Sequence, residues 1–202
     1  MTLVTDIVIK RLGRAEYLPT LEAMRRFTRE RDDSTADELW LLQHPPVYTL
    51  GQGAAAVEVA NGIPVIAADR GGEITYHGPG QVVLYTLVDL ARRSIKVKAF
   101  VRLLEQSVID LIGSKAARRP GAPGVYVDGA KVAALGIRVS RGRAYHGVAL
   151  NVDMDLTPFS AIDPCGYPGL PVTQTRALGL AGSPAEIGER LAQLVIQALD
   201  HA

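Results

Sequence analysis

The chain has 202 residues, of which 48% are hydrophobic and 21% are charged, with a formal net charge of +1. This length suits one domain with a substantial core, which we expect to span residues 1–202. The balanced charge argues against disorder and against binding of nucleic acid through bulk charge. No apolar run reaches the roughly 18 to 20 residues that cross a bilayer, and the amino end lacks the apolar region of a secretory signal. We therefore expect a cytoplasmic protein that is not associated with a membrane.

The first part of the chain contains three predicted elements. Asp6 to Leu12 alternates between polar and apolar residues and predicts a strand, as does the run ELWLLQ at Glu38 to Gln43. Between them, Tyr17 to Arg29 has apolar residues at helical spacing and predicts a helix. The next stretch, His44 to Ala54, cannot be helical through its two prolines, so we expect an irregular loop that could face a ligand.

A glycine-rich stretch, RGGEITYHGPGQ at Arg70 to Gln81, lies between two predicted strands, Pro64 to Asp69 and Val82 to Leu90. Two glycines alone would indicate only a turn. This stretch also carries charged, aromatic and imidazole side chains, which favours a binding or catalytic loop.

The glycines of this stretch have a predicted role of their own. Gly71, Gly72 and Gly78 lack a Cβ atom and therefore let backbone N–H groups approach a ligand closely. We expect an added Cβ at these positions to reduce activity more than folding, so that Gly72→Val would still unfold cooperatively.

The middle of the chain begins with an amphipathic helix, predicted over Val97 to Ile112 from apolar residues at helical spacing. A loop is expected at Arg118 to Gly124. After it, a hairpin and a third strand are predicted, with turns at Asp128-Gly129 and Arg141-Gly142.

A long irregular segment, Leu156 to Gln174, precedes a last helix. That helix is predicted to begin with Ser183 as its N-cap, Pro184 in the first turn and Glu186 completing a capping box. Strands and helices mix without strict βαβ alternation. We therefore predict an α+β fold with a mixed, mostly antiparallel sheet flanked by helices.

Cys165, the only cysteine, lies in the sequence DPCGYPG. A lone cysteine is usually a small buried hydrophobic residue. Here Pro164 and Pro168 restrict the loop, and Gly166 leaves the amide after the sulfur open to a carbonyl oxygen, as at a nucleophile with an oxyanion donor. A thiol with a pKa of about 8.5 needs a basic or cationic neighbour to form a thiolate. The candidates for this neighbour are Lys131, His77, His146 and His44.

The residues alone leave the role of Lys131 open. It follows a turn and enters an apolar strand, where a lysine usually points to solvent. His77 and His146 are equally well explained as hydrogen-bonded structural histidines.

The sequence contains no metal-binding or nucleotide-binding motif. There is no CxxC, HExxH or clustered carboxylate pattern, no GxxxxGK[ST] loop, and no GxGxxG opening a helix. We therefore expect neither a metal nor another cofactor.

Five segments, taken in order, resemble those of the octanoyl-carrier-protein:protein N-octanoyltransferase family of lipoate biosynthesis. They are HPPVYTLGQGA, DRGGEITYHGPGQVVLY, APGVYVDGAKVAALGIRV, HGVALNVDMDL and PCGYPGL, and the match runs over about four-fifths of the chain. The resemblance implies a fold like the catalytic domains of biotin and lipoate ligases, with a mixed sheet around a substrate tunnel.

The resemblance also implies the roles of individual residues. Cys165 would be the nucleophile that carries the acyl group as a thioester, and Lys131 its partner. The acyl-binding segments would comprise Arg70, Gly71, Gly72, Glu73, Ile74, Thr75, Tyr76, His77, Ala134, Leu135, Gly136, Gly147, Val148 and Ala149. Glu73 and Ala134 differ from the residues that many family members have there, which bears on the preferred chain length.

The implied reaction uses an acyl donor that is already activated. The donor would be octanoyl-acyl carrier protein, and the acceptors would be lysines on lipoyl domains of 2-oxoacid dehydrogenase complexes and on the glycine cleavage H protein. A thioester donor requires a thiolate and an oxyanion site but no ATP. Lys131 could stabilise the thiolate as a cation and, once neutral, accept the proton of the acceptor amine.

Three alternatives remain at this point. The chain could be an ATP-dependent ligase of the lipoate or biotin type, which shares the fold. It could be a cysteine amidase or hydrolase that uses Cys165 with a histidine, or a non-catalytic acyl-binding module.

Carrier proteins are acidic, so a local basic face is expected to bind them. Arg92, Arg93, Lys96 and Lys98 are the leading candidates, with Arg138, Arg141 and Arg143 as the second set. A solvated face without a partner is the competing interpretation of such a charge run.

Overall fold

The computed structural model describes residues 7–55, 59–162 and 169–202. The strands are β1 (Val8–Arg14), β2 (Glu38–Gln43), β3 (Val47–Leu50), β4 (Val65–Ala67), β5 (Ile74–His77), β6 (Gln81–Asp89), β7 (Ala116–Arg119), β8 (Ala122–Val127), β9 (Ala130–Ser140) and β10 (Arg143–Asn151). The helices are α1 (Tyr17–Glu30), α2 (Val97–Ile112) and α3 (Pro184–Asp200). None of these helices is long and apolar enough to cross a membrane.

Two sheets organise the described residues. The larger has seven strands in the order β1-β2-β6-β10-β9-β8-β7, and the smaller has three in the order β4-β3-β5. Neighbouring strands are antiparallel except for the parallel pairs β1–β2 and β3–β4. The predicted α+β class with a mixed, mostly antiparallel sheet is confirmed.

The large sheet is buried on both faces, which explains why all nine residues of β6 are buried. Val82 and Leu84 of β6 belong to a core that includes buried residues of α2 and α3. Val83 and Tyr85 alternate to the other face and pack with α1. The small sheet has a core of its own around Tyr48.

Several locally encoded features agree with the sequence. The bounds of β2 and α2 are as predicted, and β1, α1, β4 and β6 differ from prediction by one to two residues at their ends. Ser183 and Glu186 form the expected capping box at the start of α3.

Both predicted turns have the backbone that two-residue hairpins require. The φ angles are 49° and 81° at Asp128 and Gly129, and 50° and 79° at Arg141 and Gly142. Positive φ at both central residues matches the twist of the flanking strands.

Three segments that we expected to be loops contain strands. The loop predicted at His44 to Ala54 contains β3, and the loop predicted at Arg70 to Gln81 contains β5. The loop predicted at Arg118 to Gly124 includes the end of β7 and the start of β8. The strands β3 and β5 pair with each other across a long stretch of sequence, so their pattern is set by tertiary contacts that local propensity does not report. The irregular segment predicted at Leu156 to Gln174 includes a short 3₁₀ helix, Thr157–Ala161.

A buried carboxylate, Asp37, holds three arginines at one end of the large sheet. Its oxygens accept hydrogen bonds from Arg31 at 2.6 Å, Arg92 at 2.7 Å and Arg93 at 2.7 Å, and from the backbone N–H of Asp89 at 2.8 Å. The side chain of Asp37 is fully buried. Arg92 and Arg93 therefore have a structural role. Their proposed role in binding a carrier protein stays a prediction.

Removing the charge of Asp37 should destabilise the fold. Asp37→Asn leaves the three arginines without a counter-charge, and breaking a buried pair in this way costs about 3–5 kcal/mol of unfolding free energy. Urea unfolding at neutral pH measures this loss. As a control, Glu189→Gln breaks the exposed pair that Glu189 makes with Arg11 and should leave the unfolding midpoint nearly unchanged.

The difference in stability between wild type and Asp37→Asn should depend on pH. Burial opposes ionisation of Asp37, but the N–H of Asp89 and the guanidinium groups of Arg93 and Arg31 outweigh it and lower its pKa. An unfolded aspartate titrates at about 3.9. The stabilisation is therefore complete above that pH and is lost as the pH falls through the folded-state pKa. A stability gap between wild type and Asp37→Asn that did not narrow below about pH 4 would contradict this origin.

Candidate active site

A cavity lies between the large sheet and the small sheet, bounded by strands β5, β6, β9 and β10 and by α1. It is lined by Lys131 and by all the predicted acyl-binding residues except two. The exceptions are Gly71, whose N–H donates to the carbonyl oxygen of Ile137 at 3.0 Å, and Tyr76, which packs against Phe159 and Tyr48. The structure thus brings the segment at residues 70–77 together with segments of β9 and β10 that lie more than fifty residues further along the chain.

The side chain of Lys131 is directed into the protein, not into solvent as a lysine at a strand entrance usually is. The residue is only 4% exposed. Its ammonium lies 5.3 Å from the ring centroid of Tyr126, a cation–π distance. Lys131 therefore lines one end of a partly apolar cavity, with its ammonium against an aromatic ring.

Gly124 provides the space that the stem of Lys131 occupies. A Cβ atom at position 124 would lie 2.9 Å from the carbonyl oxygen of Ala133 and 3.2 Å from Cε of Lys131. The N–H of Gly124 donates to the buried carboxylate of Glu105 at 3.1 Å. This hydrogen bond fixes β8 beside the lysine.

The other end of the cavity is closed by close backbone contact between the glycine-rich stretch and β9. A Cβ atom at Gly136 would lie 2.7 Å from the carbonyl oxygen of Gly71. Arg70 ties the same stretch to β3, because its guanidinium donates to the backbone oxygen of Thr49 at 2.6 Å and to its hydroxyl at 2.8 Å.

His44 and His77 are neutral, fully engaged structural groups. Nδ1 of His44 donates to the carbonyl oxygen of Ala15 at 2.6 Å, which leaves Nε2 to accept from the hydroxyl of Tyr85 at 2.8 Å. Burial lowers the pKa of His44 to about 4. Burial also holds the pKa of His77 well below its usual range, assisted by His44 and Arg70.

His146 is a more unusual residue. Its φ angle is 63° in the middle of β10, a conformation that a non-glycine residue adopts only when its surroundings enforce it. Nε2 lies 2.7 Å from a carboxylate oxygen of Asp69, whereas Nδ1 has no hydrogen-bond partner among the described residues. Burial lowers the pKa of His146 although Asp69 opposes this effect.

The described residues offer no evident metal site. Within residues 7–55, 59–162 and 169–202, no three histidine, cysteine or carboxylate side chains come together.

Cys165, together with Pro164, Gly166 and Pro168, lies outside the described residues. The chain re-enters the described part at Gly169 and then runs beside Lys131.

Sequence reasoning missed several residues that line the cavity, namely Tyr17, Val83, Tyr85 and Phe159. Their predicted elements were correct or nearly so, but nothing local indicated which sheet face would meet a ligand. The alternation of Val83 and Tyr85 in β6 was the one usable signal, because it places both on the face that carries Gly147 and Ala149 of β10.

A family model described as "Lipoyl protein ligase A/B catalytic domain" matches residues 16–198. The chain belongs to this family. Among its curated relatives, the octanoyltransferase of Dechloromonas aromatica is 56% identical over 198 residues, covering 96% of this chain and 97% of the relative. The octanoyltransferase of Thiobacillus denitrificans is 57% identical over 199 residues, covering 96% and 91%.

Solved structures of lipoate and biotin protein ligases have a similar fold. A lipoate-protein ligase A bound with ATP superposes with a TM-score of 0.76 at 15% identity, covering 97% of this chain and 86% of that one. A bi-partite lipoate protein ligase of Thermoplasma acidophilum gives 0.70 at 18% identity, covering 96% and 84%. The biotin protein ligase of Aquifex aeolicus gives 0.57 at 9% identity, covering 96% and 70%. The expected ligase-like fold is confirmed.

The structure revises the expectation for the glycine-rich stretch. Gly72 has a φ of 83°, so a side chain there strains the backbone whether or not a ligand is present. A Cβ atom at Gly78 would lie 2.3 Å from the hydroxyl of Tyr76. The fold itself therefore disfavours a side chain at both positions, and Gly72→Val is not expected to fold normally.

Gly136→Ala should destabilise the closed end of the cavity. The added methyl group would lie against a backbone carbonyl that cannot rotate away, and such overpacking costs about 1–3 kcal/mol of unfolding free energy. Gly71→Ala is the matched control on the facing backbone, because its Cβ atom would meet only the oxygen of Ile137 at 3.4 Å. Equal stability of the two variants in urea would show that this contact is not restrictive.

Proposed function

We propose that the chain, as one catalytic domain over residues 1–202, transfers an octanoyl group from octanoyl-acyl carrier protein to a lysine of a lipoyl domain. The observation that carries this proposal is the buried lysine at the end of a cavity lined by the predicted acyl-binding segments. Relatives that are 56% and 57% identical over nearly the whole chain are octanoyltransferases, which supports it.

The proposed acceptors are lipoyl domains of 2-oxoacid dehydrogenase complexes and the glycine cleavage H protein. The T. acidophilum ligase with a similar fold is described together with its E2 lipoyl domain, which supports an acceptor of this class. The proposed site of action is the cytoplasm.

The first step is transfer of the acyl group onto the enzyme. The thiolate of Cys165 attacks the carbonyl carbon of the donor thioester, a new C–S bond forms, and the carrier thiolate leaves and takes up a proton. One thioester replaces another, so the step requires no ATP. The ammonium of Lys131 favours the thiolate form of the nucleophile and can supply that proton.

The second step is aminolysis of the acyl-enzyme. The amine of the acceptor lysine attacks the carbonyl carbon, the C–N bond forms, and Cys165 leaves as a thiolate. Lys131, neutral after the first step, takes the proton released by the acceptor amine. The same side chain therefore serves both steps in alternating protonation states.

The apolar part of the cavity wall suits an acyl substrate. Val83, Leu135, Val148 and Phe159 present apolar surface along the cavity. Burial of an eight-carbon chain stabilises the complex by about 0.8 kcal/mol per methylene, on the order of 5 kcal/mol in all. Such a free energy allows the length of the cavity to select the length of the chain.

The alternative of an ATP-dependent ligase of the lipoate or biotin type has specific support. The solved structures with a similar fold are ligases. Those neighbours are at most 18% identical, whereas the octanoyltransferases exceed 50%. A hydrolase that pairs Cys165 with His44 or His77 is less well supported, because both ring nitrogens of each are already hydrogen-bonded. His146, whose Nδ1 has no partner among the described residues, is the remaining histidine for such a pair.

Mixing the protein with octanoyl-acyl carrier protein should produce an octanoyl adduct on Cys165, seen by intact-mass analysis and removed by hydroxylamine. Cys165→Ala should form no adduct, and an adduct that persisted in this variant would exclude the proposed nucleophile. Lipoylation by Cys165→Ala that depends on added lipoate and ATP would support the ligase instead.

Lys131→Ala and Lys131→Arg should both transfer octanoyl groups far more slowly than wild type. Arginine retains the charge but remains protonated, so it cannot accept the proton of the acceptor amine. Fixed-time assays with an octanoyl donor and a lipoyl domain measure the two rates. Full transfer by Lys131→Arg would show that charge alone is required at this position.

A further inference from the structure

The main chain of Lys131 is hydrogen-bonded to a short segment, residues 171–173, that is not part of β10. β10 pairs with β9 only as far as Ala133, which lies opposite Leu150. Beyond that point a short segment takes the place of β10. The N–H of Lys131 donates to the oxygen of Pro171 at 2.8 Å, and the N–H of Thr173 donates to the oxygen of Lys131 at 2.9 Å.

This segment is fastened from the other side by Asn151, the last residue of β10. Nδ2 of Asn151 donates to the carbonyl oxygen of Thr173 at 3.0 Å. Asn151 is only 4% exposed, so water competes little for this hydrogen bond. The carbonyl of Thr173 and the carbonyl of Lys131 are thereby both bound, one by a side chain and one by the backbone.

Asn151 is in turn oriented by Gln81, its partner in the pairing of β10 with β6. Nε2 of Gln81 donates to Oδ1 of Asn151 at 3.0 Å and to the carbonyl oxygen of Tyr76 at 3.1 Å, and Oε1 accepts from Nδ1 of His77 at 2.7 Å. Backbone carbonyls only accept hydrogen bonds. The carbonyls of Tyr76 and Thr173 therefore fix the orientation of both amides without ambiguity.

The result is a continuous buried path from the cavity wall to the catalytic candidate. It begins at His77, passes through Gln81 and Asn151, and reaches the main chain of Lys131 through Thr173. Each hydrogen bond in it is between 2.7 and 3.0 Å long. Nε2 of Gln81 donates two hydrogen bonds and Nδ2 of Asn151 donates one.

We infer that Asn151 is a positioning residue for the transferase reaction, which sets the place of Lys131 relative to the acyl cavity by holding residues 171–173. The inference rests on the proposed function, since it assumes that Lys131 acts in the chemistry. A displacement of about 1 Å at a catalytic group can cost on the order of a hundredfold in rate, so one hydrogen bond at this location has a large effect.

The test is the rate of acyl-enzyme formation in a single turnover, measured by intact mass with octanoyl-acyl carrier protein in excess. Asn151→Ser shortens the side chain so that it no longer reaches Thr173, and it adds no charge. We expect the rate constant to fall by about 10- to 100-fold, while the final extent of acylation remains complete. A complete end point shows that the whole population is folded and competent.

A second arm separates positioning from a general structural role. In a Lys131→Ala background, Asn151→Ser should have almost no further effect on the residual rate, because residues that act through one group are not additive. A similar reduction in both backgrounds would overturn the inference. Asn151→Asp, which keeps the size but loses the donor, should follow Asn151→Ser if it folds, and a wild-type rate in Asn151→Ser would overturn the inference by itself.

Asn61→Ser is the control with the same side-chain change at an exposed position. Nδ2 of Asn61 donates to the hydroxyl of Tyr48 at 2.8 Å, and Asn61 does not line the cavity. It should acylate at the wild-type rate. Wild-type protein that formed no acyl-enzyme would refute the proposed function and this inference together, whereas normal wild-type acylation with an unaffected Asn151→Ser would refute the inference alone.

Discussion

The close contact between the glycine-rich stretch and β9 is the constraint on which the site depends. Gly71 bonds to the carbonyl of Ile137 at 3.0 Å, and Gly136 has no room for a side chain beneath Gly71. This contact lays the small sheet over one face of the large sheet. A helix in the same place would fill the space with side chains, whereas two glycine-lined backbones close one end and leave a cavity behind them.

The chemistry of the cavity follows from what burial does to its titratable groups. Burial makes His44 and His77 poor bases, and hydrogen bonds fix their tautomers. They therefore act as neutral donors and acceptors that hold the wall in place. Lys131, whose ammonium lies over an aromatic ring, is the group to which we assign proton transfer in the proposed reaction.

The sequence predicted the locally determined parts of this structure well. α2 has apolar residues at helical spacing, the start of α3 has a capping box, and the hairpin turns have their characteristic residues. Each of these depends on contacts within a few residues. β3 and β5 were missed because their pairing is distant in sequence, and prolines and glycines at their ends resemble loop signals.

The candidate site shows the same division between features set by local sequence and features set by contacts distant in sequence. The resemblance named most of the residues that line the cavity, but not the burial of Lys131, which depends on space left by Gly124 in a neighbouring strand. Local charge did not reveal the structural role of Arg92 and Arg93. Both follow a strand and resemble a solvated basic run, yet a carboxylate more than fifty residues away, Asp37, binds them. A charge pattern does not reveal its counter-charge when that charge is remote in sequence.

The central strand β6 connects two polar networks with different tasks. Asp89 at its carboxyl end belongs to the charged cluster around Asp37, and Gln81 at its amino end belongs to the path to Lys131. Eight residue steps at about 3.3 Å separate them by roughly 26 Å. Substitutions that far apart have additive effects. The effect of changes at Asp37 on the free energy of unfolding should therefore add to, and not modify, the effect of changes at Gln81 or Asn151, whose proposed action is on the reaction.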